Sequence, residues 1–127
     1  VFTVWGTGRA VRQFVYVDDV ARLALGALAG AWGSGTTIVT PDEGISIAHL
    51  ARTIGQVMDY PGPIVFDATK PEGMLVKRLR STTFEARFPG NRFTSLTDGL
   101  TETVRWFFSR QVGRFQGHLE SSLCGHS

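Results

Sequence analysis

The chain has 127 residues, 43% of them hydrophobic and 19% charged, a balance that excludes a disordered tail and leaves room for one packed domain or a piece of a larger one. A single cysteine, Cys124, rules out an intrachain disulfide and fits a reducing cytosol, and no apolar stretch approaches the roughly 20 residues of a membrane span. The net charge is only +2, at a sequence pI near 9.1, and the cations Arg9, Arg12, Lys70, Lys77, Arg78 and Arg80 sit around two short motifs. That spread suits a diphosphate better than a nucleic-acid backbone, although on charge alone a solvated surface with a few extra arginines explains it equally.

Phe2–Trp5 and Gln13–Val17 are apolar, β-branched and aromatic and read as strands, with a break at Gly6-Thr7-Gly8. The sequence enters the first strand without a basic-then-apolar leader pattern, so the chain reads as cut from something longer. Asp18 is placed to cap a helix on which Val20, Leu23, Ala24, Ala27 and Leu28 repeat at helical spacing, ending in Gly30–Gly35. Thr36–Thr40 reads as a short strand. Ser46 is the expected N-cap of a second helix, with Ile47, Leu50, Ala51, Ile54, Val57 and Met58 on one face and Tyr60-Pro61-Gly62-Pro63 as its stop.

Ile64–Phe66 is a further strand that delivers Asp67 to its end, and Ala68–Arg80, with Pro71 and Gly73, reads as a long loop. Ser95 and Asp98 form a capping box for a third helix carrying Leu96, Leu100, Val104 and Phe107. The resulting class is α/β, with too few elements for a complete doubly wound nucleotide-binding domain. Residues 1–115 are expected to form a small domain, with 1–17 supplying strands to a larger sheet, and 116–127 a loosely ordered tail.

Several chemistries lack their residues. Gly6-Thr7-Gly8 is followed by a strand and by no third glycine, so it is not a dinucleotide turn. No Tyr-x-x-x-Lys pair exists, since Val20 follows Tyr16 by four and Ile64 follows Tyr60. His49, His118, Cys124 and His126 have no convincing zinc spacing, and no Gly-x-Ser-x-Gly turn favours a serine nucleophile.

Two segments carry chemistry instead. In Trp5-Gly6-Thr7-Gly8 with Arg12-Gln13-Phe14-Val15-Tyr16-Val17-Asp18-Asp19, an arginine ahead of an apolar strand can hold phosphate oxygens with its fork. An ordinary surface salt bridge to Asp18 or Asp19 explains the same residue, and those two carboxylates suit a helix cap and first turn. In Phe66-Asp67-Ala68-Thr69-Lys70-Pro71-Glu72-Gly73, with Lys77 beyond, Asp67, Lys70 and Glu72 are expected close together. They could bind sugar or base groups and neutralise phosphate, or merely form a polar linking turn.

The Trp-Gly-x-Gly and Arg-x-Phe-Val-Tyr-Val-x-Asp elements resemble the extended short-chain dehydrogenase/reductase, or sugar-nucleotide epimerase/dehydratase, superfamily. The Phe66–Gly73 segment with Lys77 is similar to a narrower family, the GDP-L-fucose synthases, and the resemblance runs from about Val1 to Phe115, including Trp106-Phe107. It implies the substrate-binding, carboxy-terminal part of a Rossmann-type enzyme that lacks the dinucleotide-binding domain. The family makes GDP-L-fucose from GDP-4-keto-6-deoxy-D-mannose with NADP(H), is cytoplasmic and usually dimeric, and binds neither nucleic acid nor membrane. The resemblance places Trp5 against the nucleotide, Arg12 on the diphosphate, and Asp67, Lys70, Glu72 and Lys77 on a loop over the GDP-sugar. It implies no catalytic and no cofactor-binding residue here. The family carries Asp where this chain has Glu72, and an acidic residue or Asn near Arg80. Another sugar-nucleotide epimerase or dehydratase, or a non-catalytic binding module, fits the same residues less fully.

Overall fold

The computed structural model describes the backbone of residues 1–31 and 35–123 and the side chains of residues 1–30 and 35–110. In chain order the elements are β1 (Phe2–Trp5), β2 (Val11–Arg12), α1 (Val17–Gly26), β3 (Ile45–Ser46), α2 (Ile47–Val57), β4 (Ile64–Asp67), α3 (Thr82–Arg87) and α4 (Leu96–Leu123). β1 and β4 pair in parallel, with Phe2 opposite Ile64 and Trp5 opposite Asp67, so α1 and α2 belong to the crossover between them. β2 and β3 pair antiparallel, Val11 opposite Ser46 and Arg12 opposite Ile45.

The second helix begins as its sequence dictates: the Ser46 hydroxyl accepts the His49 amide at 3.1 Å. It ends in a Schellman-like turn, where the Tyr60 amide reaches back to the Gly55 carbonyl at 2.9 Å and Asp59 takes φ +48. The Ser95 hydroxyl accepts the Asp98 amide at 3.1 Å and lies 2.6 Å from the Asp98 carboxylate, which starts α4 where the capping box predicts. Helix α2 packs on both α4 and β4.

Four expectations are corrected. No strand forms over Gln13–Val17; the strand lies earlier, at Val11–Arg12, because the Gln13 side chain takes the place of a ladder partner and Tyr16 becomes the N-cap of α1. Asp18 therefore does not cap that helix; it lies in the first turn, and Tyr16 offers no side-chain cap bond. Thr36–Thr40 joins neither sheet; the Thr37 hydroxyl instead accepts from Arg87 at 2.5 Å. A short helix, α3, appears inside the stretch without an expected element, capped by Ser81, whose hydroxyl accepts the Phe84 amide.

The core is small. Among the described residues the fully covered apolar side chains are Ala10, Leu23, Ala51 and Phe84, with Leu23 only 2% exposed. Phe84 stacks between Phe88 and Phe93 at 5.4 and 5.6 Å. On α1 the buried face is Asp19 and Leu23, whereas Val20, Leu25 and Leu28 face outward, Leu28 at 85% exposure. Of the stripe that periodicity selects, Leu23 is buried, while Val20 and Leu28 stay exposed. The helix unwinds into one wide turn over Ala27–Ala31, where Gly30 takes φ +95.

Gly8 is tightly enclosed: at φ +74, a Cβ there would stand 2.5 Å from the Phe66 ring and 3.0 Å from Ala48. Gly8→Ala is expected to destabilise the chain by about 2 kcal/mol or more, through left-handed strain and overpacking together. Gly90→Ala shares the positive φ of +75 but meets nothing within 4 Å. It should cost only the strain, roughly 1 kcal/mol. Urea unfolding midpoints of the two variants measure the difference.

Candidate functional site

The residues between β1 and β2 form a turn whose backbone bonds in two directions. Gly6 and Gly8 take φ +85 and +74, conformations that glycine adopts without penalty. The Gly6 amide donates to the Asp67 carbonyl at 2.9 Å. The Gly8 and Ala10 carbonyls accept the Ala48 and Ile47 amides at 2.8 and 2.9 Å, so backbone oxygens fill the amino end of α2. On the other side, the Arg9 and Ala10 amides donate to one oxygen of Glu72 at 3.1 and 3.2 Å. The Thr7 hydroxyl lies 2.6 and 2.8 Å from the two Glu72 oxygens. Its hydrogen bond, reinforced by these amides against some loss of solvation, holds the Glu72 carboxyl below the usual glutamate range.

A dinucleotide pyrophosphate is held by free amides at the head of a helix. Here the turn's Arg9 and Ala10 amides belong to Glu72, and the first amides of α2 belong to the turn. The turn does not fit that cofactor.

Beyond Glu72 the chain continues as a strap along β2. The Val11 amide donates to the Leu75 carbonyl at 2.7 Å and the Lys77 amide to the Val11 carbonyl at 3.1 Å, making a bridge between Val11 and Val76. Arg12 donates to the Met74 carbonyl at 2.7 Å and to the Val11 carbonyl at 2.7 Å. The Gln13 amide ends the strap: it donates to the Pro41 and Leu79 carbonyls at 2.5 and 2.8 Å and accepts the Leu79 amide at 2.6 Å. At the far end, Arg78 donates to the Asp42 carbonyl and Arg80 pairs with Glu85 at 3.1 Å.

The predicted site residues separate into three groups on this frame. Trp5 ends β1 at 66% exposure, with the Lys70 ammonium 5.9 Å from its ring centroid. Asp67, opposite Trp5 in the ladder, accepts the Thr69 amide and hydroxyl at 3.0 and 2.6 Å and so shapes the turn that carries Lys70. Glu72 bonds to the 7–10 turn and packs beside Gly6, whose amide donates to the Asp67 carbonyl. Arg12 lies under Met74, and Lys77 is held by its backbone with its side chain exposed. Thr7 and Gln13 were not legible as site residues; the one signal was a polar side chain beside each motif cation.

Arg12 forms no salt bridge with Asp18 or Asp19. Asp19 is only 6% exposed; its carboxylate accepts Arg22 at 3.0 Å and the Thr94 amide at 2.7 Å, pinning the loop before α4 to α1. Burial pushes its carboxyl up, but Thr94 and Arg22 outweigh burial and hold it below the ordinary aspartate range. Tyr16 borders a hollow of about 320 Å³ between α2 and α4, and its ring sits close against Gly99. Burial and the Asp18 carboxylate raise its phenol above the usual value, so it can donate a hydrogen bond at neutral pH but does not ionise there. Among the described residues no three His, Cys, Asp or Glu side chains gather as metal ligands; Cys124 and His126 lie outside the described residues.

Residues 1–38 match the NAD dependent epimerase/dehydratase family. The solved structure of a GDP-L-fucose synthetase from Naegleria fowleri bound to NADP superposes with a TM-score of 0.79 at 29% identity, over 86% of this chain and 35% of that one. A Thermotoga maritima UDP-glucose 4-epimerase with UDP-glucose superposes at 0.68 with 25% identity, over 87% of this chain and 35% of that one. The chain is thus an α/β homologue of Rossmann-type epimerases and reductases. Within that class it is similar along most of its length to GDP-L-fucose synthases: the Escherichia coli (strain K12) enzyme is 35% identical over 123 residues, 90% of this chain and 38% of that protein. The chain therefore spans a little over a third of the relatives it matches.

Because the folded Asp19 carboxyl lies below its unfolded value, the stability it contributes is complete above the ordinary aspartate pKa of about 3.9 and is lost as pH falls through the folded value. Asp19→Asn is expected to cost about 1–3 kcal/mol at pH 7, the range for hydrogen bonds to a charged group with buried partners. The gap between the two proteins should close in acid unfolding series below about pH 4.

Proposed function

We propose that the chain is the GDP-sugar-binding portion of an NADPH-dependent epimerase/reductase that converts GDP-4-keto-6-deoxy-D-mannose to GDP-L-fucose. The observation that carries the reading is the joining of the two motifs: Arg12 donates to Met74 on the same strap that begins at Glu72 and carries Lys77. A lone polar turn or a surface salt bridge would not require that pairing. Arg12 uses two N–H donors on carbonyls, and the rest of its fork takes phosphate oxygens. Trp5, exposed at the strand end, stacks on the guanine, while Lys70 and Lys77 add positive potential.

NADPH supplies the hydride in that reaction, and the described residues bind the other substrate. The proton-transfer and cofactor residues belong to the remainder of a homodimeric, cytoplasmic enzyme; the single cysteine supports that compartment. Among the described residues no helix is long and apolar enough to cross a membrane. A second reading, an epimerase of UDP-sugars, is favoured by the superposition on the UDP-glucose 4-epimerase.

Calorimetric titration with GDP, GDP-mannose and UDP-glucose separates the two. The expected result is saturable binding selective for guanine nucleotides, weakened by about 1.5–3 kcal/mol in Arg12→Ala. Selectivity for UDP-glucose would transfer the assignment to the second reading, and no binding by a cooperatively folded chain would remove both.

A further inference from the structure

Glu72 stands in the loop expected to cover the ligand, yet its carboxylate is already taken. Both oxygens face the Thr7 hydroxyl, and one also accepts the Arg9 and Ala10 amides. The side chain is packed as well as bonded: a Cβ on Gly6 would stand 3.0 Å from the Glu72 Cβ and Cγ. The turn it grips joins Trp5 to Arg12 in sequence, and the strap it opens supplies the Met74 carbonyl to Arg12. Glu72 thus holds both sides of the frame on which the two proposed ligand contacts stand. We propose that Glu72 is a positioning residue that sets Trp5 and Arg12 through the Gly6–Ala10 turn, and that it does not touch the sugar.

The inference rests on the GDP-sugar reading, and its chemistry separates from it. A carboxylate in direct contact with the sugar acts only on ligands that have one. A carboxylate that fixes the nucleotide contacts acts equally on GDP and GDP-mannose. Thr7 completes the distinction, because Thr7→Val deletes the hydroxyl that Glu72 grips and leaves the carboxylate in place.

The test is titration of the full chain and its Glu72→Gln, Glu72→Asp and Thr7→Val variants with GDP and with GDP-mannose, alongside amide NMR spectra without ligand. The expected result is an equal loss for both ligands, roughly tenfold to a hundredfold, in Glu72→Gln and Thr7→Val, as for other residues that orient binding groups. Glu72→Asp recovers part of it, and the Arg9 and Ala10 amides shift and exchange faster in the two weakened variants. Loss confined to GDP-mannose would make Glu72 a sugar contact, and unchanged binding of both ligands would remove the positioning role; either overturns the proposal. If the unmodified chain binds neither ligand, the function reading fails, and the positioning role fails with it even where the amide shifts show the clasp intact. Should Glu72→Gln not fold, Thr7→Val carries the same comparison.

Discussion

A buried or half-buried turn must satisfy its backbone polar groups, and the Gly6–Ala10 turn does so by bonding in two directions at once. Its carbonyls close the open end of α2, and its amides close on Glu72. Neither half is sufficient alone. Without the carbonyls the first amides of α2 would lack partners; without the carboxylate the Ala10 amide would too, and Arg9 would keep only the Thr7 hydroxyl at 3.3 Å. Gly8 makes the arrangement possible twice over, by its left-handed backbone and by leaving room for the Phe66 ring. The relative placement of α2, β4 and the strap depends on this one turn.

The strap is a strand in function without being one in form. Only Val11 and Val76 form a true bridge, and the remaining alignment comes from side chains: Arg12 on Met74, and the Gln13 amide imitating a peptide group against Leu79. Side-chain amides can do this because they carry the same donor and acceptor pair as the backbone. The result fixes the backbone beneath Lys77 while leaving its ammonium in solvent.

What the sequence disclosed follows from range. Local signals held: the Ser46 and Ser95 caps, the stop after Tyr60, the Ile64 strand and the α/β class are each written within a few adjacent residues. The resemblance located the two motifs that the fold joins. Contacts spanning about sixty residues were not legible, so Glu72 read as a neighbour of Asp67 and Lys70, although its partners are Thr7, Arg9 and Ala10. The same limit displaced the expected 13–17 strand to Val11–Arg12, since nothing near Gln13 announces that Leu79 will bond its side chain. Helix α1 was legible only in part: packing uses Leu23 from the expected stripe but leaves Val20 and Leu28 exposed, and the polar Asp19 is buried beside Leu23. Buried carboxylates with two partners are invisible to a hydrophobic pattern.

Backbone oxygens occupy the amino end of α2, and that has an electrostatic consequence. A free helix end offers an anion fixed amides and about half a unit of positive charge, in a geometry that salt disturbs little. With that end closed, the cations at this edge are guanidinium and ammonium groups on long stems, Arg12 and Arg78 anchored by backbone carbonyls and Arg80 paired with Glu85. Attraction of that kind reaches out roughly 8–10 Å in physiological electrolyte and shrinks as ions are added. On the proposed reading, anion binding therefore weakens as ionic strength rises, and selectivity rests on the orientation of the Arg12 fork and not on the peptide backbone.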